Sequence, residues 1–300
     1  MTGERLLAAW DRFWHTPADP RIAAGFRIVF GIIVALMFLG QLPFVELWWG
    51  DQGLCPPQLG RKMRADSSWS LLFMLPSGYL HVYLGLAVGH ALLISAGVFH
   101  RVNAAMLFVW LVSFQNRCTF INDGEDTMVR LFCFFLIFLD ANRVWALVPR
   151  KPDAPTHSGF ALRLIQLQTV FTFGVAGMEK WPGPAWWNGE AMFHVLHLDD
   201  YTDRMPFMAP LIEAAPWLSW PMSTGTLFLE FVIPIIVWVP RLRIVAVAMA
   251  VTWHIILESM AFLYAFEFLM MLGWLSFLTW PGHRRSLDEP STEPPAADAA

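Results

Sequence analysis

The sequence predicts an all-α, polytopic membrane protein with about eight transmembrane helices, and seven to nine would fit the pattern. Hydrophobic residues make up 56% of the chain and charged residues 15%, which is more apolar surface than one water-soluble core buries. The apolar residues come in blocks of roughly 20, the length that crosses the hydrocarbon core of a bilayer. Many of the 16 tryptophans stand near the ends of these blocks, as interfacial residues do.

The elements follow in order along the chain. Residues 1–20 are predicted to form an amphipathic helix lying in the membrane interface, because Leu6, Leu7 and Trp10 fall on one stripe. The membrane unit covers residues 21–281, and its eight apolar blocks begin near Phe26, Gly78, Val102, Thr127, Phe160, Met222, Arg243 and Ala261. Residues 282–300 are rich in Pro, Ala and acids and are expected to be disordered.

The charge distribution predicts an orientation and argues against nucleic acid as a partner. The formal net charge is −4, and the basic residues are scattered between apolar blocks, so no surface suits a phosphate backbone. With eight spans both termini share one side, and most of the arginines and lysines outside the spans fall there. The positive-inside rule therefore predicts cytoplasmic termini, with Lys180 on the outer side.

Charged side chains inside the apolar blocks each need a partner or a wet cavity, because a bare charge costs several kcal/mol there. These residues are Arg27, Arg130, Asp140, Arg163, Glu230, His254, Glu258 and Glu267. His254 and Glu258 stand four apart, which predicts that they share a helix face where the carboxylate could orient the imidazole as a base. A structural hydrogen bond is the alternative there, and it is favoured for Asp126 and Arg130, which have the same spacing.

The fifth block ends at Lys180, where hydrocarbon gives way to water. One helix face runs from Arg163 and Gln166 through Phe173 and Gly177 to this lysine. The glycine lets a neighbouring helix or a flat ligand come close. Apolar surroundings favour a neutral amine that could accept a proton. The alternative is a lysine that keeps its stem in lipid and its head in water.

The cysteines and histidines carry weaker signals. Cys55 and Cys118 fall in predicted outer loops, where an oxidising compartment would permit a disulfide, but the sequence does not show whether they are close. The 9 histidines show no recognisable ligand spacing, so no metal is predicted.

Two long runs carry a family resemblance. They are FQNRCTFINDGEDTMVRLFCFFLIFLDANRVWAL, from Phe114 to Leu147, and RLIQLQTVFTFGVAGMEKWPGPAWWNGEAM, from Arg163 to Met192. They resemble the membrane region of the vitamin K-dependent gamma-carboxylase family. More closely, they resemble the bacterial proteins with the horizontally transferred transmembrane (HTTM) domain. The resemblance covers residues 21 to 281 and implies a bacterial inner-membrane location.

The family's chemistry is what the resemblance implies for this chain. Such an enzyme deprotonates a reduced quinone, here menaquinol or a similar molecule, and lets it react with oxygen. The strong base so formed removes a proton from a glutamate side chain, which then adds carbon dioxide. The motif AGxxK carries the catalytic lysine onto Lys180, and the segment AVTWHIILESMAFLYAF carries a histidine onto His254, with Glu258 as its proton-handling partner.

The remaining site residues are predicted in two groups. The first binds the quinone: Arg163, Gln166, Phe173, Gly177, Trp181, Trp186 and Trp187. The second lines an outward-facing polar cavity between the fourth, fifth and seventh spans: Asn116, Glu125, Asp126, Arg130, Asp140 and Asn142. The chain departs from the family near Glu125, where the family has an orienting histidine, and at Glu179, where the carboxylases have a further lysine.

A non-catalytic role is the alternative. The family's carboxylases carry a large domain outside the membrane, whereas the residues after Pro281 resemble a short tail. The membrane domain would then be a scaffold or maturation factor that binds a lipid, a small secreted peptide or a partner membrane protein. A transporter is a third interpretation, which only the charges inside the spans favour.

Overall fold

The computed structural model describes residues 3–63, 68–151, 159–199, 205–261 and 263–279, and every regular element in these ranges is helical. The predicted all-α fold is therefore confirmed. In chain order the helices are α1 (Gly3–His15), α2 (Pro20–Gln41), α3 (Val45–Trp49), α4 (Pro57–Met63), α5 (Leu80–Ala96), α6 (His100–Arg117), α7 (Gly124–Phe138), α8 (Phe160–Lys180), α9 (Pro184–Asn188), α10 (Glu190–Leu196), α11 (Met208–Ala214), α12 (Ser219–Ile236), α13 (Arg243–Ala261) and α14 (Ala265–Leu275).

Five helical stretches of the described chain are long and apolar enough to cross a membrane. They are Pro20–Trp49, Ser77–Ala96, Phe160–Lys180, Pro216–Ile236 and Arg243–Met260. Helices α6, α7 and α14 stand where the other three spans were predicted, but α14 has only 11 residues and α7 only 15, short of the roughly 20 that a crossing needs. These helices make an integral membrane protein, whereas the count of eight spans stays a prediction.

The short helix α14 lies at the centre of the bundle. Helices α2, α5, α6 and α7 pack in sequence, α8 packs against α12, and α14 contacts α2, α7, α8 and α13. Its Trp274 is fully buried. Gly273 makes the contact with α8 close, because a Cβ atom there would lie 2.2 Å from Oγ1 of Thr169. Side chains on α14 therefore meet residues from both halves of the chain.

Arg27 joins α2 to two other parts of the first half. Its side chain is completely buried, and its guanidinium donates to the carbonyl oxygens of Ile94 and Ser95, at the last turn of α5. It also donates to the carbonyl oxygens of Ala141 and Trp145 in the segment after α7. The orphan carbonyls at a helix end need such donors, which explains an arginine early in the first span.

The segment after α7 also uses its own polar residues for structure. Asp140 accepts hydrogen bonds from Arg143 Nε at 2.6 Å and from Arg150 Nη1 at 3.1 Å. The amide of Asn142 donates to the carbonyl oxygens of Gly97 and Val148. Asp140 and Asn142 therefore stabilise the connection after α7. The sequence had predicted that they line a polar cavity with Lys180, and this prediction was wrong.

The N-terminal segment forms the predicted helix. Leu6, Leu7 and Trp10 of α1 are exposed, and the carbonyl oxygen of Phe13 accepts a hydrogen bond from Arg163 on α8. The interfacial position of α1 stays a prediction. The tail predicted at residues 282–300 lies outside the described residues.

Candidate functional site

Lys180, the last residue of α8, forms an ion pair inside the bundle. Its Nζ atom donates to Oε1 of Glu230 on α12 at 2.7 Å. The Glu230 side chain is 5% exposed and the Lys180 side chain 26%. The second carboxylate oxygen of Glu230, Oε2, is buried and accepts no hydrogen bond from any described residue. Lys180 therefore neither stands alone nor extends freely into water.

Local sequence explains why this pair can form. Gly177 lies one turn before Lys180, and a Cβ atom there would come within 3.0 Å of the Glu230 Cβ atom. The glycine thus lets α8 and α12 approach closely, as predicted for a neighbouring helix. The Lys180 Nζ atom also lies 5.5 Å from the centre of the Trp186 ring, a favourable cation–π distance.

His254 on α13 is bonded through both ring nitrogens. Its Nδ1 atom bonds the Glu267 carboxylate on α14, and its Nε2 atom lies 3.1 Å from the indole Nε1 of Trp274, which can only donate. Nε2 is therefore the acceptor, and the ring proton is assigned to Nδ1. The Phe173 ring packs against His254 and Trp274, with its centre 5.4 Å from each.

The predicted partner of His254 was wrong. The sequence pattern placed Glu258 beside it, one turn along the same helix, but the carboxylate at Nδ1 belongs to Glu267. The reason is tertiary: α14 packs across α13 and brings Glu267 and Trp274 to the ring from 13 and 20 residues away. His254 and Glu267 are both buried, at 2% and 0% side-chain exposure.

The two clusters form one polar centre, defined here as Lys180, Glu230, His254, Glu267 and Trp274. The Phe173 ring, on the α8 face that also carries Gly177 and Lys180, packs against His254 and so joins the two clusters. A second carboxylate oxygen in this centre, Oε1 of Glu267, is likewise buried and without a hydrogen bond in the described chain. The polar centre therefore combines two carboxylates, one ammonium group and one imidazole in a mostly buried setting.

A large apolar cavity lies between α8 and α12, and the residues that follow Lys180 and Glu230 in the chain line it. Its volume is about 1010 Å³, and its walls are Met178, Trp181, Trp187, Trp220, Pro221, Thr224, Gly225, Leu227, Phe228 and Phe231. Trp181 is the residue after Lys180 and Phe231 is the residue after Glu230, so each residue of the ion pair is next in the chain to a residue of the cavity wall. The Trp181 ring makes edge contacts with Trp187 and Phe231, at centroid distances of 4.6 and 5.1 Å.

This cavity differs from the predicted one. The sequence predicted a polar cavity between the fourth, fifth and seventh spans, whereas the structure has an apolar cavity between the fifth and sixth, α8 and α12. Trp181 and Trp187 line it, and Trp186 faces Lys180 instead. Phe173 does not line this cavity; its ring packs against His254 and Trp274 of the polar centre.

Arg163 and Gln166 do not share a site with Lys180. They stand near the start of α8, and the 17 residues from Arg163 to Lys180 span about 25 Å of helix. Arg163 donates to Gln166 Oε1 at 2.6 Å, and Gln166 donates to the carbonyl oxygen of Ser276 at 2.8 Å. These two predicted quinone-binding residues instead fasten α8 to α1 and to the end of α14.

The other predicted cavity residues form a separate set of structural contacts. Gln115 stands between the predicted pair of Asp126 and Arg130, donating to the first and accepting from the second. Asn116 donates to the carbonyl oxygen of Trp69, and Asp126 also completes the N-terminal cap of α7. These residues hold α6 and α7 together and fasten α6 to the loop around Trp69, between α4 and α5.

Glu125 links this set to the polar centre. Its carboxylate accepts the backbone N–H of Phe266, the residue before Glu267 on α14. Burial, with further contributions from Asp123 and Asp126, raises the pKa of Glu125 to about 7.

Glu125 is expected to make stability pH-dependent. Its ordinary pKa is 4.5 and its folded pKa about 7, so between these values the folded protein binds more protons than the unfolded chain. The free energy of unfolding therefore falls as the pH rises through this window. We expect the thermal midpoint in detergent to fall from pH 5 to pH 8. The fall should be smaller in Glu125→Gln but unchanged in Glu190→Gln, a variant of an exposed glutamate. An equal fall in all three proteins would contradict this role.

The structure adds three residues that the sequence had not assigned to the site: Glu230, Glu267 and Trp274. Glu230 and Glu267 were already among the charges within spans, and each needed a partner. That signal could have indicated that each carboxylate needs a cation or a donor from another helix, as Lys180 and His254 provide. No sequence signal marks Trp274 among 16 tryptophans.

These features define a class: a helical integral membrane protein with a buried polar centre beside an apolar cavity. The chain matches the HTTM domain over residues 15–280, nearly its whole length, and it belongs to the HTTM domain family. This confirms the predicted HTTM family, whereas the resemblance to the gamma-carboxylases stays a prediction. Comparison with the curated proteins and with the solved structures gives no match.

Proposed function

We propose that this protein binds a reduced quinone in the apolar cavity and that the Lys180–Glu230 pair takes up the proton of its hydroxyl group. The observation that carries the proposal is the open carboxylate oxygen: Oε2 of Glu230 is buried and has no hydrogen-bond donor in the described chain, and the next residue on α12, Phe231, lines the cavity. A buried acceptor without a donor suits a hydroxyl group that arrives with a ligand.

The shape and chemistry of the cavity fit a quinone. Its volume of about 1010 Å³ lies at the upper end of the range for small-molecule sites. Tryptophan and phenylalanine rings make favourable contacts with another flat ring system. The lining is apolar apart from the Thr224 hydroxyl and the indole N–H groups, which suits a molecule that enters from the bilayer. The polar contact would come from the ion pair at the edge of the wall.

Each residue of the pair has a separate task. Glu230 accepts the proton on Oε2, while the Lys180 ammonium stabilises negative charge that develops on the ligand oxygen. When bound, a quinol supplies the reducing equivalents that would react with oxygen, ahead of carbon dioxide addition, as in the carboxylases that the chain resembles. His254 has no free ring nitrogen, so its task is to hold α13 against α14. Glu258 has no part in this scheme.

Retention of a quinone tests the binding step. Gly225 lines the cavity and has open space where a Cβ atom would stand, so Gly225→Leu fills the cavity without a backbone clash. Gly85 has similar space on α5, away from the cavity, and Gly85→Leu is the matched control. We expect mass spectrometry to find menaquinone or ubiquinone with the native protein and the control, and at least about tenfold less with Gly225→Leu. Equal amounts in all three would remove the assignment.

A lipid-binding scaffold is the second candidate, and the walls of the cavity favour it. Trp220, Phe228 and Met178 would suit an acyl or isoprenoid chain as well as a ring. In that case the same mass spectra would show a phospholipid or polyprenyl lipid in place of a quinone, and its amount would depend on Gly225 in the same way.

A further inference from the structure

Two of the three cysteines meet in one buried place. Cys55 lies between α3 and α4, and Cys118 is the first residue after α6; both are completely buried. The Cys55 Sγ atom donates to the carbonyl oxygen of Arg117 at 3.2 Å, and Arg117 Nη1 donates to the carbonyl oxygen of Cys55 at 2.6 Å. Because Cys118 follows Arg117 directly in the chain, these two contacts bring the backbones at Cys55 and Cys118 together.

The third cysteine is placed differently. Cys133 lies inside α7 and donates to the carbonyl oxygen of Ala104 at 3.3 Å. Cys133 therefore serves as an internal reference, a cysteine that is expected to remain a free thiol. The Arg117 guanidinium lies beside both Cys55 and Cys118. Cys133 sits inside the helix bundle, away from this guanidinium.

We propose that Cys55 and Cys118 form a disulfide bond in the mature protein, on the outer side of the membrane. The Arg117 contacts hold the two backbones together, and the outer loops in which the sequence places both cysteines face an oxidising compartment. The bond closes the chain from residue 55 to residue 118 and fastens the segment before α4 to the end of α6.

The oxidant is a thiol oxidoreductase that carries a disulfide. One cysteine thiolate attacks that disulfide, forms a mixed disulfide and releases one oxidoreductase sulfur as a thiolate. The second cysteine thiolate then attacks its partner's sulfur and releases the other. The two cysteines lose two electrons and two protons, and the oxidoreductase gains both as a dithiol. Because neither sulfur is exposed in the fold, the exchange takes place before α4 packs against α6.

Counting free thiols tests the proposal on the native protein. The protein is purified from bacterial membranes, denatured without reductant and labelled with a maleimide. We expect one label, on Cys133, and three labels after reduction, with a cross-linked peptide pair containing Cys55 and Cys118. In Cys133→Ala the count without reductant should be zero. In a host strain that lacks the thiol oxidase the native protein should carry three labels. Three labels from the normal host, or a cross-link that includes Cys133, would overturn the proposal.

Discussion

Arg27→Leu is expected to prevent recovery of folded protein. The substitution removes the donors to four backbone carbonyl oxygens, those of Ile94, Ser95, Ala141 and Trp145. The Ile94 carbonyl oxygen still accepts the N–H of Gly97, whereas the other three lose their donor at about 1–3 kcal/mol each, so the loss is at least ~3 kcal/mol. That is a large part of the stability of a typical protein domain. The last turn of α5 and the segment after α7 would lose their shared anchor.

The test compares three arginine variants by yield of monodisperse protein in detergent and by thermal midpoint. Arg27→Lys should fall between native and Arg27→Leu, because lysine keeps the charge but cannot reproduce the fork of guanidinium donors. Arg241→Leu changes an exposed arginine and should behave like the native protein. Native-like yield and midpoint for Arg27→Leu would show that the four contacts are not needed for folding.

Lys180→Met should destabilise the protein by about 3 kcal/mol. This is the low end of the range for breaking a buried pair, because the Lys180 side chain is a quarter exposed whereas Glu230 is almost fully buried. The variant leaves the Glu230 carboxylate inside the bundle without its cation. The cost should shrink at low pH, where the carboxyl group can protonate.

Neutralising the partner as well should restore most of the loss. In the double variant Lys180→Met/Glu230→Gln no unpaired charge remains, so its thermal midpoint should lie closer to the native value than that of Lys180→Met. Lys62→Met, at an exposed lysine of α4, is the matched control. A double variant less stable than Lys180→Met would mean that the pair is not the interaction that Lys180 makes.

The sequence predicted the fold well because a lipid bilayer leaves an apolar chain few choices of backbone structure. Apolar blocks of membrane length must become helices, and each of the eight predicted blocks corresponds to a helix. The number that cross the membrane was harder to predict. Helix α14, with its 11 residues, is apolar but short, and its neighbours in space, not its own composition, determine its place.

The site was predicted only in part. Lys180, Gly177 and the tryptophans followed from local pattern and from the family motif, and the structure brings them together at the end of α8. Partners that come from another helix were missed. The spacing of residues within one helix indicates Glu258 as the partner of His254, whereas the carboxylate that bonds it is that of Glu267 on α14. Arg163 and Gln166 share a helix face with Lys180, but a face that runs for 17 residues extends well beyond a single site.

Oxygen uptake with a reduced naphthoquinone tests the central proposal most directly, since it follows the ligand that the Lys180–Glu230 pair is proposed to deprotonate. Membranes that hold the native protein or Lys62→Met should consume oxygen faster than membranes without it. The folded double variant Lys180→Met/Glu230→Gln should lose this extra rate by on the order of 100-fold, as expected when a proton acceptor is removed. An undiminished rate in that folded variant would contradict the account.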